Sequence, residues 1–73
     1  MSMARKPCYF PRMKELRLAQ NKSQRQIAEI LHCNREVYRR YECGKRELPV
    51  WALMLLADYY QTTTDYILGR SER

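Results

Sequence analysis

The stretch that decides the fold is SQRQIAEILHCNREVYRRYECGKR, residues 23–46. Apolar side chains recur at helical spacing on both sides of a short break at residues 32–33, which predicts helices over residues 24–31 and 35–42. The two helices and their turn together occupy about 20 residues, which is the size of a helix-turn-helix unit. The sequence therefore predicts such a unit at the centre of the fold.

The residues at the helix ends support this placement. Ser23 is a favourable N-cap, and Gln26 completes a Ser-x-x-Gln capping box with it. Asn34 is the corresponding cap of the next helix, and Gly44 stops that helix. Small Ala28 suits a close crossing of the two helices. The residues expected to face the core are Ile27, Leu31, Cys33, Tyr38 and Tyr41.

Three further helices are predicted outside this stretch. Helical spacing places them over residues 11–20, 50–60 and 64–68, and Pro11 and Pro49 mark the beginning of the first two. Five short helices with tight connections predict a compact all-α domain.

The length of the chain allows one domain. With 73 residues there is no room for a second one. We expect an N-terminal arm over residues 1–10, the helix-turn-helix domain over residues 11–70, and a C-terminal tail over residues 71–73.

Composition narrows the classes of function. The chain has 14 Lys and Arg against 8 Asp and Glu, a formal net charge of +6 and a pI of about 9.6. Residues 1–46 hold 12 basic and 4 acidic side chains, whereas residues 47–69 hold 3 acidic side chains and no basic ones. The basic part favours a polyanionic partner, and the acidic, apolar part is suited to packing and self-association. Hydrophobic residues make up 45%, which argues against disorder.

The cysteines and the N-terminal residues indicate the cellular compartment. Cys8, Cys33 and Cys43 are odd in number, form no Cys-x-x-Cys pair and follow no secretory signal. No run of about 18 apolar residues is present, so we expect no membrane partner. These features favour a reducing cytoplasm.

The sequence offers little chemistry for catalysis or metal binding. His32 is the single histidine, and no nucleophile and base occur at a spacing typical of a catalytic pair. We therefore expect no enzyme and no cofactor. His32 directly precedes Cys33, and this spacing does not suit a zinc site with Cys8 and Cys43. Oxidation of Cys43 beside the basic helix is a minor alternative.

The run from SQRQIAEIL through HCNREVYRRYECGKRELP resembles the Cro/repressor-type, XRE-like helix-turn-helix family. Ser23, Gln24, Ala28 and the Tyr-Glu-x-Gly-Lys-Arg motif at residues 41–46 carry the resemblance. LADYYQTTTDYILGR, at residues 56–70, is similar to the last two helices of that family. The resemblance covers residues 11–70 and implies a lambda-repressor-like fold, binding to double-stranded DNA, and a bacterial or phage-related origin.

The resemblance also implies roles for single residues. In this family the beginning of the second helix of the unit reads bases, which implies Arg35, Glu36 and Arg40 as the base-reading residues. Arginine suits guanine O6 and N7, and Glu36 suits the cytosine N4 amine. The side chains implied as phosphate contacts position the protein without reading sequence; they are Gln24, Asn34, Arg39, Lys45 and Arg46.

Three other positions have structural implications. Glu42 lies at a helix C-terminus, where an anion is disfavoured, and the resemblance implies an ion pair with Arg17. His32 stands where the family often has glycine, so a positive φ in that turn would strain it. Lys22 replaces an apolar residue, so we expect no hydrophobic staple before Ser23.

One main interpretation and two alternatives follow. The main one is a sequence-specific transcriptional regulator, a repressor that binds a near-palindromic operator as a homodimer. The first alternative is an antitoxin-type interaction protein that binds a protein partner, with DNA binding secondary. The second is a non-specific or RNA-binding module. The aromatic residues Tyr9, Phe10, Tyr59 and Tyr60 lie outside the basic helix, so we expect packing rather than base stacking from them.

Overall fold

Each helix expected from the sequence forms in the computed structural model, which describes residues 9–72. The helices are α1 (Pro11–Ala19), α2 (Gln24–Ile30), α3 (Arg35–Cys43), α4 (Val50–Tyr60) and α5 (Thr64–Leu68). Their ends lie within one residue of the expected ends. Residues 9–72 contain no strand, and the expected all-α class is confirmed. Most of the expected N-terminal arm, including Cys8, lies outside the described residues.

Side-chain caps begin α2, α3 and α5, and a left-handed glycine follows the last residue of α3. The Ser23 hydroxyl accepts from the backbone N–H of Gln26 at 3.1 Å, and the Gln26 side chain accepts from the backbone N–H of Ser23 at 2.8 Å, which completes the capping box. Asn34 and Thr63 cap α3 and α5 by accepting from the backbone N–H three residues later, at 2.9 and 3.0 Å. Gly44 follows α3 with φ of 80°, a conformation that glycine adopts without strain.

One hydrophobic core takes side chains from all five helices. The largest fully buried side chains are Met13, Ile27, Leu31, Tyr38, Leu56 and Ile67. Of the residues expected inside from the helix-turn-helix stretch, Ile27, Leu31, Tyr38 and Tyr41 are buried, whereas Cys33 is half-buried at the edge of the core. The core therefore holds α2 and α3 on a scaffold formed by α1, α4 and α5.

Arg12 of α1 contacts α5 and the residues that follow it. Its guanidinium carbon lies 4.1 Å from the centroid of the Tyr66 ring, and Nη1 donates to the carbonyl of Tyr66 at 2.9 Å and to the carbonyl of Ser71. Nη2 also lies 3.6 Å from the Glu72 carboxylate. These contacts fix α5 and the residues that follow it against α1.

No helix in the described part of the chain has the length and hydropathy needed to cross a membrane.

Candidate nucleic-acid interface

The turn between α2 and α3 has the positive φ that the sequence analysis expected to strain His32. His32 has φ of 57°, in the left-handed region that favours glycine. The backbone N–H of Cys33 donates to the carbonyl of Ala28 at 3.0 Å, which closes the end of α2. The tight turn therefore holds a histidine in a conformation of higher energy, and α3 begins at Arg35, after its N-cap Asn34.

A buried ion pair joins α1 to α3. Arg17 Nε donates to Glu42 Oε2 at 2.7 Å, and Arg17 Nη2 donates to Oε1 at 3.2 Å. Arg17 is only 7% exposed and Glu42 only 6%. The remaining nitrogen, Arg17 Nη1, donates to the carbonyl of Lys22 at 2.8 Å, just before the cap of α2. The acidic side chain near the end of α3 thus belongs to the scaffold.

Two neutral side chains complete this network. Tyr38 donates its hydroxyl to Glu42 Oε2 at 2.7 Å, and Gln24 Nε2 donates to Oε1 at 3.0 Å. Burial alone raises the pKa of Glu42, but the hydrogen bonds from Arg17, Tyr38 and Gln24 outweigh it and hold that pKa below its usual range. The hydrogen bond to Glu42 in turn raises the pKa of Arg17. The sequence did not indicate that Gln24 and Tyr38 take part.

The network limits how Gln24 can touch DNA. One hydrogen of its amide is engaged with Glu42, so a phosphate contact has to use the other hydrogen or the main-chain N–H at the start of α2. The Asn34 side-chain oxygen caps α3, whereas its amide nitrogen, the donor that a phosphate contact uses, takes no part in that bond. Both residues expected to contact phosphate are therefore anchored to the helices whose ends they occupy.

The exposed face of α3 carries three arginines and one glutamate. Glu36 accepts from both Arg39 Nε and Nη2, at 3.0 and 2.7 Å, and from Arg40 Nε at 3.1 Å. These hydrogen bonds, first from Arg39 and then from Arg40, lower the pKa of Glu36 to about 2. Arg35 is exposed and forms no ion pair with any residue in the range 9–72.

The loop after α3 extends the same basic surface. The backbone N–H groups of Lys45 and Arg46 donate to the carbonyl of Arg40, at 2.9 and 3.2 Å, and both side chains are exposed. These bonds satisfy a carbonyl at the C-terminal end of α3 and hold the loop against the helix. The expected phosphate contacts Lys45 and Arg46 thus adjoin the expected base-reading helix.

An open cleft of about 520 Å³ lies beside the turn; its walls are Arg25, Ala28, Glu29, Cys33, Asn34 and Arg35. Arg25 was not among the residues expected at the site, although it follows Gln24 at the exposed beginning of α2. The cleft brings Arg25 together with Arg35 and Asn34. The sequence did offer one signal for Arg25, because it lies in the first turn of α2, directly after Gln24.

Within residues 9–72, no three side chains among His, Cys, Asp and Glu are grouped so that they could hold a metal ion. Burial raises the pKa of the Cys33 thiol, which disfavours its reactive thiolate form.

A helix-turn-helix pair with a basic, exposed second helix defines the class of DNA-binding helix-turn-helix domains. The helix-turn-helix family model matches residues 13–67, and the chain belongs to that family. The similar proteins that follow are named as transcriptional regulators.

Two curated proteins of Bacillus subtilis strain 168 are similar in sequence. The HTH-type transcriptional regulator AnsR is 39% identical over 62 residues, which are 85% of this chain and 53% of that protein. The uncharacterized HTH-type transcriptional regulator YobD is 33% identical over 64 residues, which are 88% of this chain and 57% of that protein. The chain thus spans a little more than half the length of these relatives.

A solved structure supports the fold. The crystal structure of a transcriptional regulator from Listeria innocua superimposes with a TM-score of 0.76 and 23% sequence identity, over 84% of this chain and 57% of that one. The likeness shows that the arrangement of helices described above is one that a transcriptional regulator adopts.

Proposed function

We propose that this protein is a sequence-specific regulator of transcription that binds double-stranded DNA and represses by occluding the promoter. The observation that carries the proposal is the exposed basic face of α3, held rigidly by the buried Arg17–Glu42 network. A helix so held can enter the major groove without losing its orientation. The protein then acts in the cytoplasm, at the nucleoid.

In this proposal α3 reads bases and its surroundings hold the backbone. Arg35, Glu36 and Arg40 contact base edges, since arginine pairs with guanine and a carboxylate accepts from cytosine. The phosphate contacts come from the beginnings of α2 and α3, the middle of α3 and the loop after it, namely Gln24, Asn34, Arg39, Lys45 and Arg46. The cleft geometry adds Arg25 to this second group.

We propose further that two copies act together, through the apolar face of α4. Val50, Trp51 and Met54 are 69%, 53% and 56% exposed, and they lie on the opposite side of α4 from buried Ala52 and Leu56. Residues 47–69 contain no basic side chain, so two copies can meet here while their basic surfaces stay apart. A stable interface needs about 800 Å² per partner, more than three side chains supply, so the dimer is weak without DNA.

A symmetric dimer would place its two α3 helices in successive major grooves, about 34–36 Å apart. The experiment that tests the function is selection of bound duplexes from a random pool with the purified protein. We expect one enriched motif with two inverted half-sites about one helical turn apart, preferred over random DNA by roughly 10³-fold or more. Recovery of no enriched motif would remove the proposal of a sequence-specific regulator.

The same apolar face of α4 favours a second candidate, an antitoxin-type protein that binds a protein partner, with DNA binding secondary. The discriminating measurement is co-purification of the protein from its native host followed by identification of bound proteins. A stoichiometric partner that is lost when Trp51 is replaced would favour this candidate over the homodimer.

A further inference from the structure

Glu36 is the one acidic side chain on the exposed face of α3, and it binds two of the three arginines there. Its carboxylate accepts from Nε and Nη2 of Arg39 and from Nε of Arg40, at distances between 2.7 and 3.1 Å. The three side chains are between 40% and 52% exposed, so all of them are also within reach of a nucleic acid. Arg39 cannot offer the same two donors to a phosphate while this arrangement lasts.

We propose that Glu36 restrains Arg39 and Arg40 in the free protein and thereby weakens binding to non-specific DNA; this inference rests on the proposed function. A random duplex offers mainly phosphates, and the engaged donors, Nε and Nη2 of Arg39 and Nε of Arg40, can bind one only after they leave Glu36. The released carboxylate then faces the phosphates without a partner, which is unfavourable.

A target site differs because it can give Glu36 a new partner. The N4 amine of a suitably placed cytosine donates to a carboxylate, so Glu36 exchanges one partner for another and the arginines are freed for phosphate or guanine. The restraint is therefore removed at the target and kept elsewhere. Glu36 acts in this way as a specificity-determining residue in addition to any base that it contacts.

The first test compares Glu36→Gln with Glu15→Gln, a variant with the same change of charge at an exposed position of α1. Binding to a random-sequence duplex is measured across a series of salt concentrations, and circular dichroism checks that both variants remain folded. We expect Glu36→Gln to bind about three- to fivefold more tightly than Glu15→Gln, as loss of two exposed ion pairs allows. The slope of log affinity against log salt should steepen by about 0.9 for each added phosphate contact.

The second test is a double-mutant cycle with Arg39→Ala. If Glu36 restrains Arg39, removing Arg39 weakens random-duplex binding about twofold or less in the wild-type background and clearly more in the Glu36→Gln background. Equal effects in the two backgrounds would overturn the proposal, and so would equal affinities of Glu36→Gln and Glu15→Gln. Preference of the wild type for a selected duplex is measured separately; its absence would count against the proposed function, while the random-duplex comparison still decides the role of Glu36.

Discussion

Glu42, close to the C-terminus of α3, is held by Arg17 of α1 through two hydrogen bonds, of which the shorter is 2.7 Å. A carboxylate at this end of a helix is unfavourable with respect to the helix dipole, and it would repel phosphates if it were exposed. Burial against Arg17, Tyr38 and Gln24 removes both problems. The pair therefore ties the orientation of α3 to the scaffold while leaving the exposed face of the helix basic.

Replacing Arg17 with Met should destabilise the fold strongly. The substitution keeps the apolar stem but leaves Glu42 buried with only the donors from Tyr38 and Gln24, for which we expect a loss of about 3 kcal/mol. Urea denaturation followed by circular dichroism measures it. Arg39→Ala, which breaks an exposed pair, is the control and should leave the urea midpoint nearly unchanged. An Arg17→Met midpoint equal to that of the control would show that the pair adds nothing.

Stability should fall as the solution is acidified. The pKa of Glu42 is lower in the folded protein than the ordinary value of 4.5, so its contribution is fully present above pH 4.5 and is lost as the pH falls through the lower folded value. Glu36 acts in the same direction with a pKa of about 2, and solvent screening makes its share smaller. Urea midpoints between about pH 7 and about pH 3 check this. Glu42→Gln should flatten the profile more than Glu36→Gln, and a reversed order would contradict the assignment.

Replacing His32 with Gly should stabilise the protein. The left-handed φ of 57° strains a residue that has a Cβ, and relief of this strain exceeds the extra freedom that glycine gives the unfolded chain, for a net gain of about 0.5–1 kcal/mol. Asn21→Gly is a matched control, because Asn21 has φ of 56° and asparagine tolerates this region better. Thermal or urea unfolding of both variants gives the comparison. A smaller gain at His32 than at Asn21 would show that the turn is not strained.

The sequence predicted the elements of this fold well because local signals and burial agree. Ser23, Asn34, Gly44 and Gly69 stand at helix ends where their caps or left-handed conformations are needed, and the apolar spacing between them matches the buried residues. Cys33 was expected inside and is half-buried, because it lies at the edge of the core beside the cleft. Periodicity gives the side of a helix but not the depth of each residue.

The site was harder to predict because its chemistry depends on contacts between distant residues. The hydrogen bond from Gln24 to Glu42 spans 18 positions, and no spacing rule indicates it. The pairing of Glu36 with Arg39 and Arg40 has ordinary helical spacing, yet the sequence could not show that one carboxylate would take both arginines. Arg25 was missed for a similar reason, since its neighbour Arg35 becomes close only after the turn folds α3 back onto α2.

Base-reading and phosphate-contacting residues should differ in how they respond to DNA sequence. Arg35→Ala or Arg40→Ala should relax the preference at one base position of the selected motif and weaken binding there by about 1–3 kcal/mol. Lys45→Ala should weaken all duplexes alike and reduce the salt slope by about one. Affinities for the motif, its single-base variants and a random duplex separate the two patterns. Identical behaviour of the three variants would mean that the assignment of roles along α3 is wrong.

Trp51 should be needed for self-association but not for folding. It is 53% exposed beside Val50 and Met54, so Trp51→Glu places a charge in the proposed contact without entering the core. We expect the wild type to rise in mass with concentration in sedimentation experiments, and this variant to lose that rise and to bind a duplex with two half-sites less cooperatively. Leu18→Glu, at an equally exposed position of α1, is the control and should behave as the wild type does. A wild type that stays monomeric at high concentration and on its duplex would contradict the dimer, and equal loss in both variants would place the contact elsewhere than α4.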